Sequence, residues 1–300
     1  MPARHSLLAV LVAVVWGLNF LAIDYGVADV PPALFVAIRF VVVLLPAVFL
    51  VPRPAARWRD VLLVGLFMSL GQFALLYTAI ALGMPPGLAS LVLQAQVGIT
   101  VLFAFAALRE VPTRAQLVGV VVGAAGLVVV GIGRSAATPA VAFLLTVAAA
   151  TAWATGNVVA RRASRFVPAA SPAGPLAGLS MTVWSALVVP VPMVLLAVAL
   201  DGPDGVAHAL THLTGAAVVS TLYTAWLASL FGYGVWNMLL ARYPASAVVP
   251  FTMLVPVVGI LAAWFVQGER PNLAEGAGGL VLLLGVAVTS GLVRASRKRI

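Results

Sequence analysis

Long apolar runs, interrupted by short clusters of arginine and helix-breaking residues, make up most of this 300-residue chain. The 48 residues from Val61 to Leu108 contain no Asp, Glu, Lys or Arg. About 20 apolar residues span the hydrocarbon core of a bilayer, so this stretch is long enough for two crossings. The runs lack the period-two alternation of membrane barrel strands, and the pattern therefore predicts membrane-spanning helices.

Charged and turn-forming residues divide the chain into ten predicted spans. The connections between them are short, and several contain helix breakers, as at Pro31-Pro32 and Asp201-Gly202-Pro203-Asp204. Consecutive helices are therefore expected to run antiparallel, in an all-α integral membrane protein. The predicted spans are residues 6–24, 32–51, 61–82, 86–108, 115–133, 140–160, 178–199, 215–238, 246–267 and 274–293.

The basic residues between these spans are distributed very unevenly between the two sides of the predicted bundle. Arg134 and Arg270 fall on one side. Fourteen fall on the other, namely Arg4, Arg53, Arg57, Arg59, Arg109, Arg114, Arg161, Arg162, Arg165, Arg242, Arg294, Arg297, Lys298 and Arg299. Because cytoplasmic loops are enriched in Lys and Arg, the pattern predicts that both termini lie in the cytoplasm.

Composition agrees with a membrane setting, since 63% of the residues are hydrophobic and 8% are charged. Soluble domains carry roughly 25% charged residues. The net charge of +9 comes from arginines in loops, which is typical of membrane proteins and argues against a nucleic-acid partner. The absence of cysteine excludes a disulfide framework and a thiol nucleophile.

Two motifs recur in the second half of the chain. Glu110, Pro112, Gly119 and Gly126 are each followed 159 residues later by the same residue type, at Glu269, Pro271, Gly278 and Gly285. Trp16 to Asn19 is echoed by Trp153 to Asn157 at an offset near 138, which implies an insertion around residues 160–177 and 200–214. We therefore predict two five-helix repeats, residues 1–134 and 135–300. Five is an odd number, so the second repeat enters the membrane from the opposite side, as in secondary transporters whose substrates bind between the repeats.

Eight stretches, in order along nearly the whole chain, carry a family resemblance. They are Val15-Trp16-Gly17-Leu18-Asn19-Phe20, Ile38-Arg39-Phe40, Gly83 to Gln96, Trp153 to Asn157, Val183 to Leu187, Gly232 to Trp236, Leu254 to Gly259 and Gly268-Glu269-Arg270. Together they resemble the EamA group of the drug/metabolite transporter superfamily, typified by the bacterial O-acetylserine/cysteine exporter. The chain departs from this pattern at the junction between the fourth and fifth predicted spans. The Gly268-Glu269-Arg270 motif of the ninth span reappears there as Leu108-Arg109-Glu110, with the glycine lost and the order of Glu and Arg reversed.

The resemblance implies a ten-helix, 5+5 inverted-repeat transporter in the bacterial inner membrane, exporting amino acids or their derivatives. Export of amphipathic drugs or of other metabolites is the alternative, because members of such families differ mainly in their cavity residues. The expected partners are a small-molecule substrate and the lipid bilayer, and the sequence carries no signal for oligomeric state.

Arg39 is the sharpest candidate for the substrate site. It lies about seven residues into the second span, where an unpaired guanidinium would cost several kcal/mol, so it must face the protein interior or a wet cavity. It could bind a substrate carboxylate through two parallel hydrogen bonds. The alternative is a structural role, with Asp24 or helix-end carbonyls as its partners.

Neutral polar residues in the spans supply the other cavity candidates. Gln94 and Gln96 point to different faces of one helix, so at least one is expected to bond another helix. Tyr233 and Trp236 could instead belong to the interfacial aromatic belt. For Asn19 and Asn157 the alternative is a symmetric structural hydrogen bond, and for the polar residues of spans 3 and 4 it is an interhelical hydrogen bond. The full set is Trp16, Asn19, Gln72, Tyr77, Ser90, Gln94, Gln96, Trp153, Asn157, Tyr233, Trp236 and Asn237.

Energy coupling has one candidate residue. Proton-driven carriers usually have a carboxylate or histidine at membrane depth, and here the acids sit at span ends. Facilitated export or exchange is therefore expected, with proton coupling through Asp24 as the other possibility. The two acidic junctions, Arg109-Glu110 and Glu269-Arg270, are expected to form ion pairs in loops.

Other classes of membrane protein find little support in the sequence. An intramembrane enzyme would need a nucleophile and base or a metal site, but H-E-x-x-H is absent and no histidine lies within a predicted span. Asp201 and Asp204 are separated by Gly-Pro, which favours a turn over a metal site. No ATP-binding loop occurs, and no cofactor or metal is expected.

Overall fold

The computed structural model describes residues 1–135, 137–165 and 176–292, so the basic cluster Arg294 to Arg299 lies outside the described residues. Throughout this part of the chain the regular structure is helical. We number ten helical segments in chain order: α1 Ala3–Val27, α2 Pro32–Leu50, α3 Trp58–Ala81, α4 Pro86–Leu108, α5 Arg114–Gly133, α6 Ala140–Ser164, α7 Ser180–Thr211, α8 Gly215–Arg242, α9 Val249–Gln267 and α10 Leu273–Thr289.

The predicted fold class, an all-α membrane protein with ten spans, is confirmed. Within the described ranges, α1 to α9 are each long and apolar enough to cross a membrane, and α10 adds a shorter apolar helix of 17 residues. Leu7, Phe49 and Phe265, which are 68%, 81% and 79% exposed, leave large apolar side chains on the outside of the bundle. Such an exterior suits lipid rather than water.

Proline and glycine interrupt the helices of α2 and α7. In α2 the helix ends at Leu44 and resumes at Ala47 after Pro46, whose ring cannot continue a helical hydrogen-bond ladder. The α7 segment continues to Thr211, well past the predicted end at residue 199. Gly202 has a φ of +74°, and this kink is the turn predicted from Asp201 to Asp204, followed by more helix instead of a loop.

Irregular helical turns occur at corresponding places in the two halves. A π-helical segment occupies Gly65–Gly71 in α3, and another occupies Tyr223–Phe231 in α8. Short 3₁₀ segments lie at Leu93–Ala95 in α4 and at Val249–Met253 in α9. The members of the first pair lie close to the 159-residue offset seen in the sequence. The internal repeat therefore extends to local backbone geometry.

The junctions after α4 and α9 also match. Each helix ends in a left-handed residue, Arg109 with φ +56° and Gly268 with φ +71°, which are 159 positions apart. Glycine adopts this conformation without steric cost, whereas a side chain there costs roughly 1 kcal/mol. The helices that follow begin with capping boxes at matching positions, Thr113 with Gln116 and Asn272 with Glu275.

Packing interleaves the two halves. The first helix of each half packs against the other half, α1 against α8 and α9, and α6 against α3 and α4. At one side of the bundle α5 packs along α10 through glycines. A Cβ on Gly126 would lie 2.6 Å from the carbonyl oxygen of Gly278, and one on Gly119 would lie 2.7 Å from that of Gly285. These close backbone approaches need residues without side chains.

Candidate functional site

Arg39 lies between the two halves of the bundle, and its side chain is 1% exposed. Its Nη1 donates to the Tyr77 hydroxyl in α3 over 2.7 Å, and its Nη2 donates to Ser229 Oγ in α8 over 3.0 Å. The guanidinium carbon lies 4.0 Å from the centroid of the Phe73 ring, a cation–π contact. Arg39 therefore joins α2 to a helix from each half.

No carboxylate of the described residues lies within ion-pair distance of Arg39. The sequence left open a structural pair with Asp24, but the Asp24 carboxylate accepts instead from Gln267 Nε2 at 2.6 Å, so that pair does not form. The Nε of Arg39 is buried and has no hydrogen-bond partner among the described residues. A buried cation with a spare donor and no anion is chemically complementary to a carboxylate ligand.

Sequence reasoning missed Ser229, the second oxygen that binds Arg39. Ser229 lies in the π-helical segment of α8, and its hydroxyl also donates to the Thr224 carbonyl, five residues earlier. The extra residue per turn sets which face of α8 presents this hydroxyl. A serine inside an apolar span was the available signal, but its orientation depended on an irregular turn that the pattern does not encode.

Buried polar atoms without partners concentrate at the predicted cavity residues. Five such side-chain atoms occur in the described ranges, and the one outside the predicted set is Thr138 Oγ1. The other four are Asn19 Oδ1, Arg39 Nε, Gln72 Oε1 and Trp153 Nε1. Buried polar groups in folded proteins are nearly always bonded, so each exception needs an explanation such as a ligand or water.

Asn157 and Gln96 bond to each other across the repeats. Asn157 Nδ2 in α6 donates to Gln96 Oε1 in α4 at 3.0 Å, and it lies 3.4 Å from Thr100 Oγ1. This is an interhelical bond of the kind that the sequence left as the alternative for both residues. Each side chain keeps capacity for further hydrogen bonds, because an amide has two donor hydrogens and an acceptor oxygen.

Two other candidates on α4 have protein partners. Gln94 Nε2 donates to the Thr252 carbonyl in the 3₁₀ turn of α9 at 3.2 Å. Ser90 donates to the Gly87 carbonyl of its own helix at 2.6 Å, and Gly259 of α9 packs against it. Both glutamines therefore contact another helix, and Ser90 and Gln94 mark the α4–α9 contact.

The predicted aromatic residues of α1 and α8 form a cluster. The Trp16 ring centroid lies 5.2 Å from that of Tyr233 and 5.3 Å from that of Trp236. Trp16 Nε1 donates to the Ala228 carbonyl over 2.9 Å, which fixes the indole against the π-helical segment. Asn237 is separate, since its Nδ2 donates to the Gly178 carbonyl at 2.6 Å and ties α8 to the start of α7.

The expected loop ion pairs at the two junctions are wrong. Glu269 pairs with no arginine of the described ranges and accepts instead from the backbone N–H groups of Gly87 and Leu88, at 3.1 and 3.2 Å, where α4 begins. Burial raises the pKa of the Glu269 carboxyl above its ordinary value. The two N–H groups partly offset this rise, and nearby acids add to it. Glu110 pairs with Arg161 at 2.7 Å and with Arg165 at 2.5 Å, both in or next to α6. The two matching glutamates therefore bind different partners.

Two cavities lie away from Arg39. One of about 100 Å³ lies between α4, α5 and α10 and is lined in part by Gln94. A larger one of about 360 Å³ lies between α4, α9 and α10 and is bordered by Glu269 and Glu275. Across the described residues, no cluster of three or more His, Asp or Glu side chains is arranged to hold a metal ion.

Comparison with known proteins agrees with this architecture. The model of the EamA-like transporter family matches residues 4–132 and 140–291. A probable amino-acid metabolite efflux pump of Salmonella typhimurium strain LT2 is 38% identical over 291 residues, covering 96% of this chain and 95% of the relative. The protein of the same description in Escherichia coli K12 is 37% identical over 291 residues, with the same coverage.

A solved structure described as "Crystal structure of protein" aligns with a TM-score of 0.60 at 20% identity, covering 99% of this chain and all of the other. That likeness supports the fold alone. The family model and the two curated relatives cover nearly the whole sequence, including both helical halves. This chain is a multi-pass membrane protein and belongs to the EamA-like transporter family.

Proposed function

We propose that this protein is a secondary transporter that exports amino acids or amino-acid-derived metabolites from the cytoplasm by alternating access. The observation that carries the proposal is a set of four buried polar atoms, at Asn19, Arg39, Gln72 and Trp153, that have no hydrogen-bond partner among the described residues. The two amide oxygens can accept from an ammonium group, and the guanidinium and indole N–H groups can donate to a carboxylate. A zwitterion presents both of these groups.

Arg39 is assigned to the carboxylate end of the substrate. It is buried, and no carboxylate of the described residues forms an ion pair with it. A substrate carboxylate can accept from Arg Nε and one Nη at the same time. The aromatic cluster of Trp16, Tyr233 and Trp236 supplies an apolar wall for a substrate side chain. Gln96 and Asn157, which bond to each other between α4 and α6, are assigned to the same site, with their mutual bond available for exchange with substrate.

The two matching glutamates support alternating access. Glu269 holds the beginning of α4 through the N–H groups of Gly87 and Leu88. Glu110, which stands 159 residues earlier in the chain, pairs with the side chains of Arg161 and Arg165 instead of helix-start N–H groups. The two matching junctions are therefore held by different contacts, an asymmetry expected of one of two related states.

The proposed setting is the bacterial inner membrane with both termini in the cytoplasm. It is supported by the relatives from two bacteria and by the concentration of Lys and Arg on one side of the spans. The proposed repeats are residues 1–134 and 135–300. Facilitated export or exchange is proposed because Asp24, the candidate for proton coupling, bonds Gln267 and lies apart from the Arg39 contacts.

Efflux measurements test the proposal. Cells overexpressing the protein are challenged with toxic amino-acid analogues, and inverted membrane vesicles are assayed for uptake of radiolabelled amino acids. We expect resistance and vesicle uptake that persist when the pH gradient is collapsed. Resistance only to amphipathic drugs would contradict the amino-acid assignment, and loss of uptake on collapse would replace facilitated export with proton coupling.

A further inference from the structure

The larger cavity lies where α9 ends and α10 begins, and it is distinct from the site around Arg39. Its volume is about 360 Å³, which lies within the range of small-ligand pockets. It lies beside the beginning of α4 and is closed at one end by the connection that contains Ser135 and Thr138. None of the residues assigned to the substrate site lines it.

Two carboxylates border this cavity, and neither forms an ion pair with a cation in the part of the chain that the structure describes. Glu275 is 5% exposed, and its oxygens accept from the backbone N–H groups of Ser135 and Asn272 at 3.0 and 2.8 Å. Glu269 accepts from two backbone N–H groups at the start of α4. Arg270 also borders the cavity but is exposed and forms no ion pair with either glutamate. Each carboxylate oxygen retains a lone pair for a further donor.

An unpartnered hydroxyl lies at the same place. Thr138 lines the cavity and is 2% exposed, and its Oγ1 has no hydrogen-bond partner among the described residues. A buried hydroxyl left without a partner destabilises the fold, because its desolvation is not compensated. This atom is independent of the two glutamates, and it adds an acceptor to the polar end of the cavity.

The rest of the cavity is apolar and reaches the lipid-facing surface. Leu88, Leu91 and Ile260 line its inner part. Leu261 and Leu280, which are 42% and 67% exposed, line it toward the outside of the bundle. A ligand that fits must therefore combine a hydrocarbon chain with a cationic group that carries N–H donors.

We propose that this cavity binds the primary ammonium head of an alkyl amphiphile between Glu269, Glu275 and Thr138, with the chain along α4 and α9. An aminophospholipid of the bilayer and a free long-chain amine share this chemistry. Charge-assisted hydrogen bonds from an ammonium to carboxylates are about twice as strong as neutral ones. A trimethylated head keeps the charge but has no N–H to donate. The site does not depend on the transport activity.

Native mass spectrometry of the full chain in detergent tests the site with phosphatidylethanolamine, phosphatidylcholine and dodecylamine as probes. We expect at least about tenfold tighter binding of phosphatidylethanolamine than of phosphatidylcholine, as for loss of a hydrogen bond to a charged group. Glu275→Gln should abolish that preference without unfolding α10, because Gln116 forms the matching capping box in the first half. Glu110→Gln, at the other junction, is the control and should keep the preference.

A second variant does not depend on the glutamates. Gly276 lines the cavity, and a Cβ added there would meet nothing within 4 Å, so Gly276→Phe fills the cavity without a backbone clash. It should remove binding of every probe. If dodecylamine and phosphatidylethanolamine both bind, the site accepts free long-chain amines as well as bilayer lipids. If phosphatidylethanolamine alone binds, the ligand comes from the bilayer. Equal binding of the two phospholipids, or Gly276→Phe binding as the parent does, would overturn the proposal.

Discussion

Arg39 donates from Nη1 to the hydroxyl of Tyr77 over 2.7 Å, so one of the most deeply buried cations in the described structure is held by a neutral oxygen. A second neutral oxygen, Ser229 Oγ, accepts from Nη2. Neutral partners keep the guanidinium oriented between α3 and α8 but leave its charge uncompensated. A substrate carboxylate would supply the missing anion.

Replacing Arg39 with lysine should cut export sharply while leaving the protein in the membrane. Lysine keeps the positive charge but cannot donate two parallel hydrogen bonds to a carboxylate. Loss of one charge-assisted bond predicts a decrease of at least about tenfold in kcat/KM for amino-acid efflux. Arg53→Lys is the matched control, because Arg53 is exposed and lies over the Trp184 ring away from the site. Wild-type efflux by Arg39→Lys at equal membrane levels would refute the assignment.

The bond between Asn157 and Gln96 should appear as a coupling energy. We expect a double-mutant cycle with Asn157→Ala and Gln96→Ala to give about 0.6 kcal/mol, the average for side-chain hydrogen bonds between membrane helices. The measurement is the free energy of unfolding in mixed micelles. The cycle of Gln96→Ala with Asn237→Ala serves as the control and should give none, since Asn237 bonds Gly178 instead. A zero value for the first cycle would mean that this bond contributes nothing to the fold.

Glu269 should make stability depend on pH. Burial raises its pKa in the folded protein above the ordinary value of 4.5. Between the ordinary and the raised value the folded state binds more protons than the unfolded state, so the free energy of unfolding falls as pH rises through that window. Thermal unfolding in detergent should show this slope for the parent protein, and Glu269→Gln should reduce it. Glu110→Gln, which changes an exposed ion pair, should retain it; a slope unchanged in Glu269→Gln would contradict the prediction.

Glycines of the α5–α10 contact should tolerate substitution differently from those elsewhere in α10. A Cβ on Gly119 would lie 2.6 Å from the Thr289 nitrogen and 2.7 Å from the Gly285 oxygen, both backbone atoms. Gly119→Ala should therefore cost about 1–3 kcal/mol in the free energy of unfolding. Gly276→Ala, where a Cβ meets open space, should stabilise by about 0.5–1 kcal/mol. Chemical unfolding of both variants checks the pair, and equal effects would show that helix contact is not the cause.

The spans were predictable because their signal is local. The length of each apolar run gives the length of the helix that it forms. The predicted span 86–108, for example, coincides with the helix Pro86–Leu108. The residues around Gly202 predicted the turn that the structure shows as a kink. They did not predict the helix that follows, because Pro203 is favoured both in turns and in the first turn of a helix. Local pattern could not separate these two uses of proline.

Partners of polar side chains were much less predictable, because they depend on how distant helices rotate against each other. Glu269 was expected to bind its neighbour Arg270, yet its partners lie 182 and 181 residues away in the sequence. Asp24 is a possible ion-pair partner of Arg39 by sequence, but in the structure its carboxylate accepts from Gln267 instead. The pattern identified which side chains are polar and deeply placed, and only the packed bundle determines what each one meets.

The glycine contact between α5 and α10 is formed by matching positions of the two repeats. Gly119 meets Gly285, and Gly126 meets Gly278, so adding 159 to the first member of each pair gives the second member of the other pair. Such a surface is isologous: it is complementary to a copy of itself, as in a twofold homodimer. Expressed as separate polypeptides, residues 1–134 and 135–300 would each carry a face made for the other. Failure of those two pieces to co-purify would show that the covalent connection, rather than this face, keeps the halves together.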